Sequence, residues 1–204
     1  MQENEKLFDL AFKLFKKKEF SESLCLVEKL LDNNKECDEH FFNILFLKGD
    51  LCHELLNYSE AVKVYSEILK YKKGNDNAFA NRALAYWELK EYRKALKDYL
   101  RAVKLNNSNP AACYGAGEMY LSLNKHKKAI FMLERSIRLR PEYGYAYAAL
   151  GEAYYQLSEW GTAYGYFLKA KELNEENVFA KRRIDKIDNY FKAYEKRMGK
   201  VVKK

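Results

Sequence analysis

The sequence predicts an all-α protein built from consecutive pairs of helices, on three observations. Small and aromatic residues recur every 34 residues in four copies that keep register. Within each copy these residues fall at i, i+3, i+4 and i+7, which places them on one face of a helix. The 204 residues include only 2 prolines and 9 glycines, so few positions interrupt a helix.

The four copies span residues 42–75, 76–109, 110–143 and 144–177, and the last shows the pattern most clearly. Its first helix carries Tyr147, Leu150, Gly151 and Tyr154, and its second carries Ala163, Phe167 and Ala170. A degenerate copy at 4–37 begins 38 residues before the copy at 42. The extra four residues predict an extended loop or a lengthened helix end within 33–40.

The eighth position of every full copy holds a small residue: Gly49, Ala83, Gly117 and Gly151. Glycine inside a helix costs about 1 kcal/mol relative to alanine. Three glycines at one slot therefore predict close packing between helices that offsets this cost. The breaks agree with helix pairs, because Asn109 reads as an N-cap before Pro110 at the first helical position.

The pattern changes after residue 177, where Lys181 and Asp185 take slots that hold aromatic and small residues elsewhere. One apolar stripe continues through Ala180, Ile184, Ile187, Phe191 and Tyr194. A helix with a single apolar stripe is what the end of a repeat array requires, so 178–204 is predicted to hold a capping helix and a basic tail.

This pattern resembles the tetratricopeptide repeat, whose signature is W-x2-L-G-x2-Y…A-x3-F…P. The resemblance covers residues 4–177. It implies a right-handed α-solenoid of about five helix–turn–helix units plus the capping helix, forming a single domain over 1–204. It also implies a non-enzymatic protein–protein interaction scaffold, acting as an adaptor or a co-chaperone.

In the tetratricopeptide-repeat family the first helix of each pair lines a concave peptide-binding groove. The family's ligand-facing slots here hold mostly aromatic residues and acids. The candidate groove residues are Phe46, Asp50, Asn81, Trp87, Glu88, Tyr114, Glu118, Tyr145, Glu152 and Tyr155. Any one aromatic residue could equally pack in the core. Together the set predicts a partner segment with apolar anchors and Lys or Arg.

One subfamily grips the C-terminal carboxylate of heat-shock chaperones with Lys, Asn and Arg side chains. Asn81 matches the asparagine of that clamp's middle repeat. The other four positions hold Phe46, Asp50, Ala111 and Gly115, so no cation remains to bind a carboxylate. The sequence therefore argues against chaperone tails as the partner.

Catalytic, metal and membrane signals are weak. Cys52 and Cys113 occupy core slots, and Cys37 with His40 lacks the further ligands that a tetrahedral zinc site needs. We expect no cofactor, no metal and no catalytic residue, and reduced thiols. The N-terminus lacks the apolar core of a secretory signal, and no run of 18 apolar residues occurs. These features favour a cytoplasmic protein.

The net charge of +8 is concentrated at the C-terminus, since 178–204 holds ten Lys or Arg and three acids. This end is either a solvated tail or a patch for an anionic partner such as an acidic protein, nucleic acid or anionic membrane. The candidate patch comprises Lys192, Lys196, Arg197, Lys200, Lys203 and Lys204. Two alternatives to an adaptor stay open: a chaperone resembling bacterial secretion chaperones, and a self-associating assembly protein.

Overall fold

The computed structural model describes residues 2–33, 38–174 and 176–201, with side chains over 3–33, 38–174 and 176–194. Within these ranges the chain forms eleven α-helices and no β-strand, which confirms the predicted all-α fold. The expected insertion falls largely on residues 34–37, which lie outside the described residues. The chain divides into two compact units, 1–107 and 108–204.

The first unit contains three helix pairs that follow the predicted repeats. Its helices are α1 (Gln2–Lys16), α2 (Phe20–Asn33), α3 (Glu39–Glu54), α4 (Tyr58–Tyr71), α5 (Asp76–Glu88) and α6 (Tyr92–Leu105). Neighbouring helices share apolar clusters: Val27, Leu30 and Ile44 join α2 to α3, while Tyr65 and Ile68 belong to the cluster of α3 and α4. Each pair therefore completes its core on the next pair, as expected of stacked repeats.

The second unit contains two helix pairs and a terminal helix. Its helices are α7 (Pro110–Ser122), α8 (His126–Leu139), α9 (Gly144–Gln156), α10 (Trp160–Leu173) and α11 (Val178–Val201). Leu133 of α8 packs with Leu150 of α9, and Phe167 of α10 packs with Ile184 of α11. The predicted N-cap is present, since the Asn109 side chain accepts a hydrogen bond from the backbone N–H of Ala112.

The glycine slot is closely packed, and the neighbour is a side chain of the second helix. A Cβ at Gly49 would lie 2.6 Å from the Tyr65 ring, and one at Gly151 would lie 2.8 Å from the Phe167 ring. A Cβ at Gly117 would lie 2.6 Å from Cγ of Leu133. The missing Cβ thus makes room for a large buried residue sixteen positions later.

The capping helix packs over a shorter stretch than the sequence predicts. Ala180, Ile184 and Ile187 are buried, but Phe191 and Tyr194 are exposed, so their assignment to the packed stripe was wrong. The reason is length: α11 has 24 residues and α10 only 14. The Tyr190 ring already reaches Trp160, the first residue of α10, so α11 continues beyond the end of its partner helix.

Cys52 and Cys113 are buried in the core, as predicted, and Cys25 is an exposed free thiol. Cys37 lies outside the described residues. The described part of the chain holds no cluster of three His, Cys, Asp or Glu side chains suited to a metal ion. No helix in the described ranges is both long enough and apolar enough to cross a membrane.

Candidate functional site: an acidic cleft in the second unit

Four of the candidate groove residues meet in one cavity of 370 Å³ in the second unit, which we call the acidic cleft. These four are Tyr114 and Glu118 on α7 and Tyr145 and Glu152 on α9. The repeat explains the meeting, because Glu118 and Glu152 hold equivalent positions 34 residues apart and α7 contacts α9. The remaining lining residues are Leu121, Ser122, Ala148, Ala149, Asn177 and Phe179.

Aromatic side chains give the acidic cleft an apolar wall. The Tyr143 ring lies 5.2 Å from that of Tyr114 and 6.0 Å from that of Tyr145, both in edge-to-face contact. Tyr145 is 57% exposed and Phe179 is 45% exposed, so both leave apolar area open to a ligand. Exposed aromatic rings next to small residues such as Ala148 suit an apolar anchor side chain.

Glu118 carries the unusual electrostatics of the acidic cleft. Burial, and to a smaller extent the neighbouring charge of Glu152, raise the pKa of its carboxyl from the ordinary 4.5 to about 7. Among the described residues no Lys or Arg forms an ion pair with Glu118. The ionised carboxylate is therefore destabilised until a cation enters the cleft.

Glu152, by contrast, is already paired. Arg183 of α11 donates from Nη2 to Glu152 Oε1 at 2.6 Å, and Gln156 donates to the same oxygen at 2.7 Å. The guanidinium also lies 4.6 Å from the centre of the Tyr155 ring and 5.3 Å from that of Phe179. Tyr155 is not part of the cleft wall but is covered by Arg183 and Lys186.

The sequence reasoning missed Arg183 because it stopped the repeat register at residue 177. If each copy is numbered from its first residue and the register is continued from 178, Phe179, Arg183 and Lys186 fall at positions 2, 6 and 9. Earlier copies hold the candidate groove residues Tyr145, Asn81 and Glu152 at these positions. The same extension would have placed a cation on the face that holds the two acids, but not its ion pair with Glu152. It would also have placed Phe179 in the site.

In the first unit, Asp50 and Asn81 are brought together but bind each other. Tyr65 donates its hydroxyl hydrogen to Asp50 Oδ1 at 2.6 Å, and the Asn81 amide donates to the same oxygen at 3.1 Å. Burial raises the pKa of Asp50, although both hydrogen bonds act in the opposite direction. Asn81 thus joins α5 to α3, and its amide is engaged inside the protein.

The other candidates of the first unit are more separate. Phe46 is half-buried against the core with its ring 6.3 Å from that of Tyr65. Trp87 is 37% exposed, and Glu88 is half-buried. In the basic patch Lys192 is exposed, whereas the side chains of Lys196, Arg197 and Lys200 and all of Lys203 and Lys204 lie outside the described residues.

Comparisons with known proteins agree with this architecture. The family model "Anaphase-promoting complex, cyclosome, subunit 3" matches residues 54–136, which is less than half of the chain. No curated protein matches the sequence.

Among solved structures, MamA residues 41-end from Desulfovibrio magneticus RS-1 is 20% identical, with 87% of this chain and 98% of that chain covered and a TM-score of 0.75. YrrB, a TPR protein with an unusual peptide-binding site, is 18% identical, with 86% and 89% covered and a TM-score of 0.68. The first TPR of Spaghetti (RPAP3), bound to the HSP90 peptide SRMEEVD, is 21% identical, with 57% and 92% covered and a TM-score of 0.55. These likenesses show that the chain has the all-α fold of tetratricopeptide-repeat proteins, and the 34-residue register and the helix pairs agree with that fold.

Proposed function

We propose that the chain is a non-enzymatic protein-interaction scaffold whose acidic cleft binds a partner segment with an apolar side chain next to a Lys or Arg. The observation that carries this proposal is Glu118, a carboxylate facing an open cavity without a cation among the described residues. A Lys or Arg from a partner would stabilise the ionised form, while Tyr145 and Phe179 would cover the apolar anchor.

The size of the acidic cleft supports an anchor rather than a long buried segment. Its 370 Å³ lies near the lower end of the ~300–1,000 Å³ range of ligand pockets.

The solved structures of YrrB and RPAP3 show that proteins of this fold bind peptides. Within this proposal the chain acts as an adaptor or co-chaperone in the cytoplasm. Chaperone tails that end in Glu-Glu-Val-Asp are not its ligands, because the amide of Asn81 is occupied by Asp50.

The first prediction tests the charge preference of the acidic cleft and does not require an identified partner. A random peptide library displayed on phage is selected on the immobilised parent protein and on Glu118→Gln. We expect the parent to enrich sequences with Lys or Arg beside apolar residues, and Glu118→Gln to lose the basic preference. Glu142→Gln is the matched control, because Glu142 is an exposed carboxylate of the same unit outside the acidic cleft.

The affinity of a selected peptide should also depend on pH through Glu118. Below a pKa of about 7 the carboxyl is neutral, and above it the carboxylate attracts the partner's cation, so affinity should rise as pH increases through this value. At high pH, Glu118→Gln should bind about tenfold more weakly, as loss of one close charge pair does. Selected peptides without basic residues, or equal affinity in Glu118→Gln at all pH values, would refute the proposal.

A further inference from the structure

Helix α6 carries almost only positive charge on its polar positions. Its 14 residues include Arg93, Lys94, Lys97, Arg101 and Lys104, and the single acid is Asp98. All five cations are exposed, whereas Asp98 is buried. The repeat pattern does not require this, so the charge of α6 calls for its own explanation.

Asp98 does not neutralise the exposed cations, because Arg82 of α5 binds it. The guanidinium donates from Nε to Oδ2 at 2.6 Å and from Nη2 to Oδ1 at 3.0 Å, and Nη1 donates to Ser66 Oγ at 3.0 Å. The residues equivalent to Asp98 in the neighbouring repeats are Val64 and Met132, both buried and apolar. The Arg82–Asp98 pair is thus a local polar replacement of the core.

The pair forms the floor of a cavity of 740 Å³ on α5 and α6, which we call the basic cleft. The basic cleft is lined by Phe79, Arg82, Tyr86, Lys94, Lys97, Asp98, Leu100, Arg101 and Lys104. Lys94 pairs with Glu91. Among the described residues Lys97, Arg101 and Lys104 form no ion pair, so three charges of one sign line this wall unbalanced.

The spacing of these three cations fits a polypeptide. At the helical rise of about 1.5 Å per residue, Lys97 lies about 6 Å from Arg101 along the axis, and Arg101 about 4.5 Å from Lys104. Acids on one face of a partner helix have the same i, i+4, i+7 spacing. Leu100 lies between the cations and is 36% exposed, which offers a small apolar contact.

The aromatic residues of the basic cleft argue against nucleic acid. Arg82 lies 5.5 Å from the centre of the Phe79 ring and Arg101 lies 6.0 Å from it, while Lys94 lies 5.3 Å from the centre of the Tyr86 ring. These rings are engaged by the protein's own cations, whereas binding of single-stranded nucleic acid uses aromatic faces for base stacking. Leu100 alone is too small an apolar surface for bilayer insertion.

We propose that the basic cleft is a second docking site, which binds an acidic polypeptide segment through Lys97, Arg101 and Lys104. It differs from the acidic cleft in charge and in position on the chain, and it takes a ligand of the opposite sign. One chain would then hold two partner segments of different chemistry.

The test is fluorescence anisotropy with a fluorescein-labelled oligoglutamate peptide. The variant Lys97→Gln/Arg101→Gln/Lys104→Gln removes the three unbalanced charges of the basic cleft. The matched control, Lys13→Gln/Lys29→Gln/Lys70→Gln, removes three exposed positive charges from other helices of the same unit. We expect the α6 variant to bind about tenfold more weakly and the control to change by less than about threefold. Three ion pairs that contact the peptide contribute more to the affinity than the same change in net charge elsewhere on the unit.

Labelled oligothymidylate and phosphatidylserine vesicles are measured beside the peptide, at low and at physiological salt. The helical circular dichroism signal and thermal melting of both triple variants verify that the fold is intact. The proposal is wrong if the parent does not bind oligoglutamate or if the control loses as much affinity as the α6 variant. It is also wrong if oligothymidylate or the vesicles bind more tightly and lose this binding in the α6 variant, since the occupant would then be of another class.

Discussion

At the scale of single residues, the eighth position of the repeat shows how a missing side chain determines packing. Gly49, Gly117 and Gly151 face buried side chains of the second helix so closely that a Cβ would lie within 2.6–2.8 Å of them. Ala83 at the same slot shows that a Cβ is tolerated in one repeat, where the residue sixteen positions later is the buried Tyr99. A larger side chain should find no space at any of the four.

The second prediction compares Gly151 with Gly165, a helical glycine of the same unit. Gly151→Leu should lower the free energy of unfolding by about 1–3 kcal/mol, because overpacking moves the buried Phe167. Gly165→Leu should not destabilise, since no atom lies within 4 Å of a Cβ there and leucine favours a helix over glycine. Chemical denaturation of both variants checks this, and equal stability would contradict the packing argument.

At the scale of the elements, each first helix ends in the same way. Lys18, Leu56, Lys90, Asn124 and Ser158 have positive φ, and they occupy the same position in the five repeats. In each case the next residue donates its backbone N–H to a carbonyl five residues earlier, for example Asn57 to Cys52. The left-handed residue therefore reverses the chain between the two helices of a pair.

The third prediction follows from the residue type at this position. The left-handed conformation costs roughly 1–2 kcal/mol for a residue with a Cβ, and glycine avoids that cost. Leu56 is 71% exposed, so its replacement loses little packing. We expect Leu56→Gly to raise the free energy of unfolding by about 1 kcal/mol.

The control for this substitution is Glu67→Gly in the exposed interior of α4. There φ is that of a helix, and the change should lower the free energy of unfolding by about 1 kcal/mol. Urea unfolding of the two variants gives both values. A loss of stability in Leu56→Gly similar to that in Glu67→Gly would show that the helix turn does not determine the effect.

At the scale of the whole molecule, charge is separated along the chain. The segment 178–204 carries +7 of the net +8, and the acidic cleft and the basic cleft lie in different units. Part of the C-terminal charge is already used inside the protein, because Arg183 binds Glu152. Among the six residues of the candidate basic patch, Lys192 is the one whose side chain the structure describes, and it is exposed.

The last prediction concerns this tail. Truncation after Glu195 should preserve helicity and shift the melting temperature by less than about 2 °C, because Ile187 is the last buried residue of α11 among the side chains described up to Tyr194. Truncation after Asn177 should destabilise the second unit strongly, since it removes Ile184, Ile187 and Arg183. Binding of the first truncation to heparin and to anionic vesicles at low salt then decides between the two interpretations of the tail, a solvated end or an anionic-partner contact. A large loss of helicity after truncation at Glu195 would contradict this packing of α11.

The sequence alone determined the repeats, the helix pairs, the small-residue slots and the N-cap at Asn109. These features follow from local rules, because the period of a helix and the chemistry of a cap act over a few residues and recur in every copy. The sequence also placed Glu118 and Glu152 among the candidate groove residues, and as equivalent positions in adjacent repeats they are expected to share a face.

Only the tertiary structure decided which of these charges are still available. Arg183 reaches Glu152 across 31 residues, Asn81 binds Asp50 across 31, and Arg82 binds Asp98 across 16. Each contact joins two helices that the repeat pattern places side by side but whose side-chain pairing it does not specify. The energy of a buried charge depends on the partner within a few ångströms, and periodicity carries no record of that partner. For this reason the fold could be derived from the residue pattern. That Glu118 and three cations of α6 form no ion pair within the described part of the chain became visible only in three dimensions.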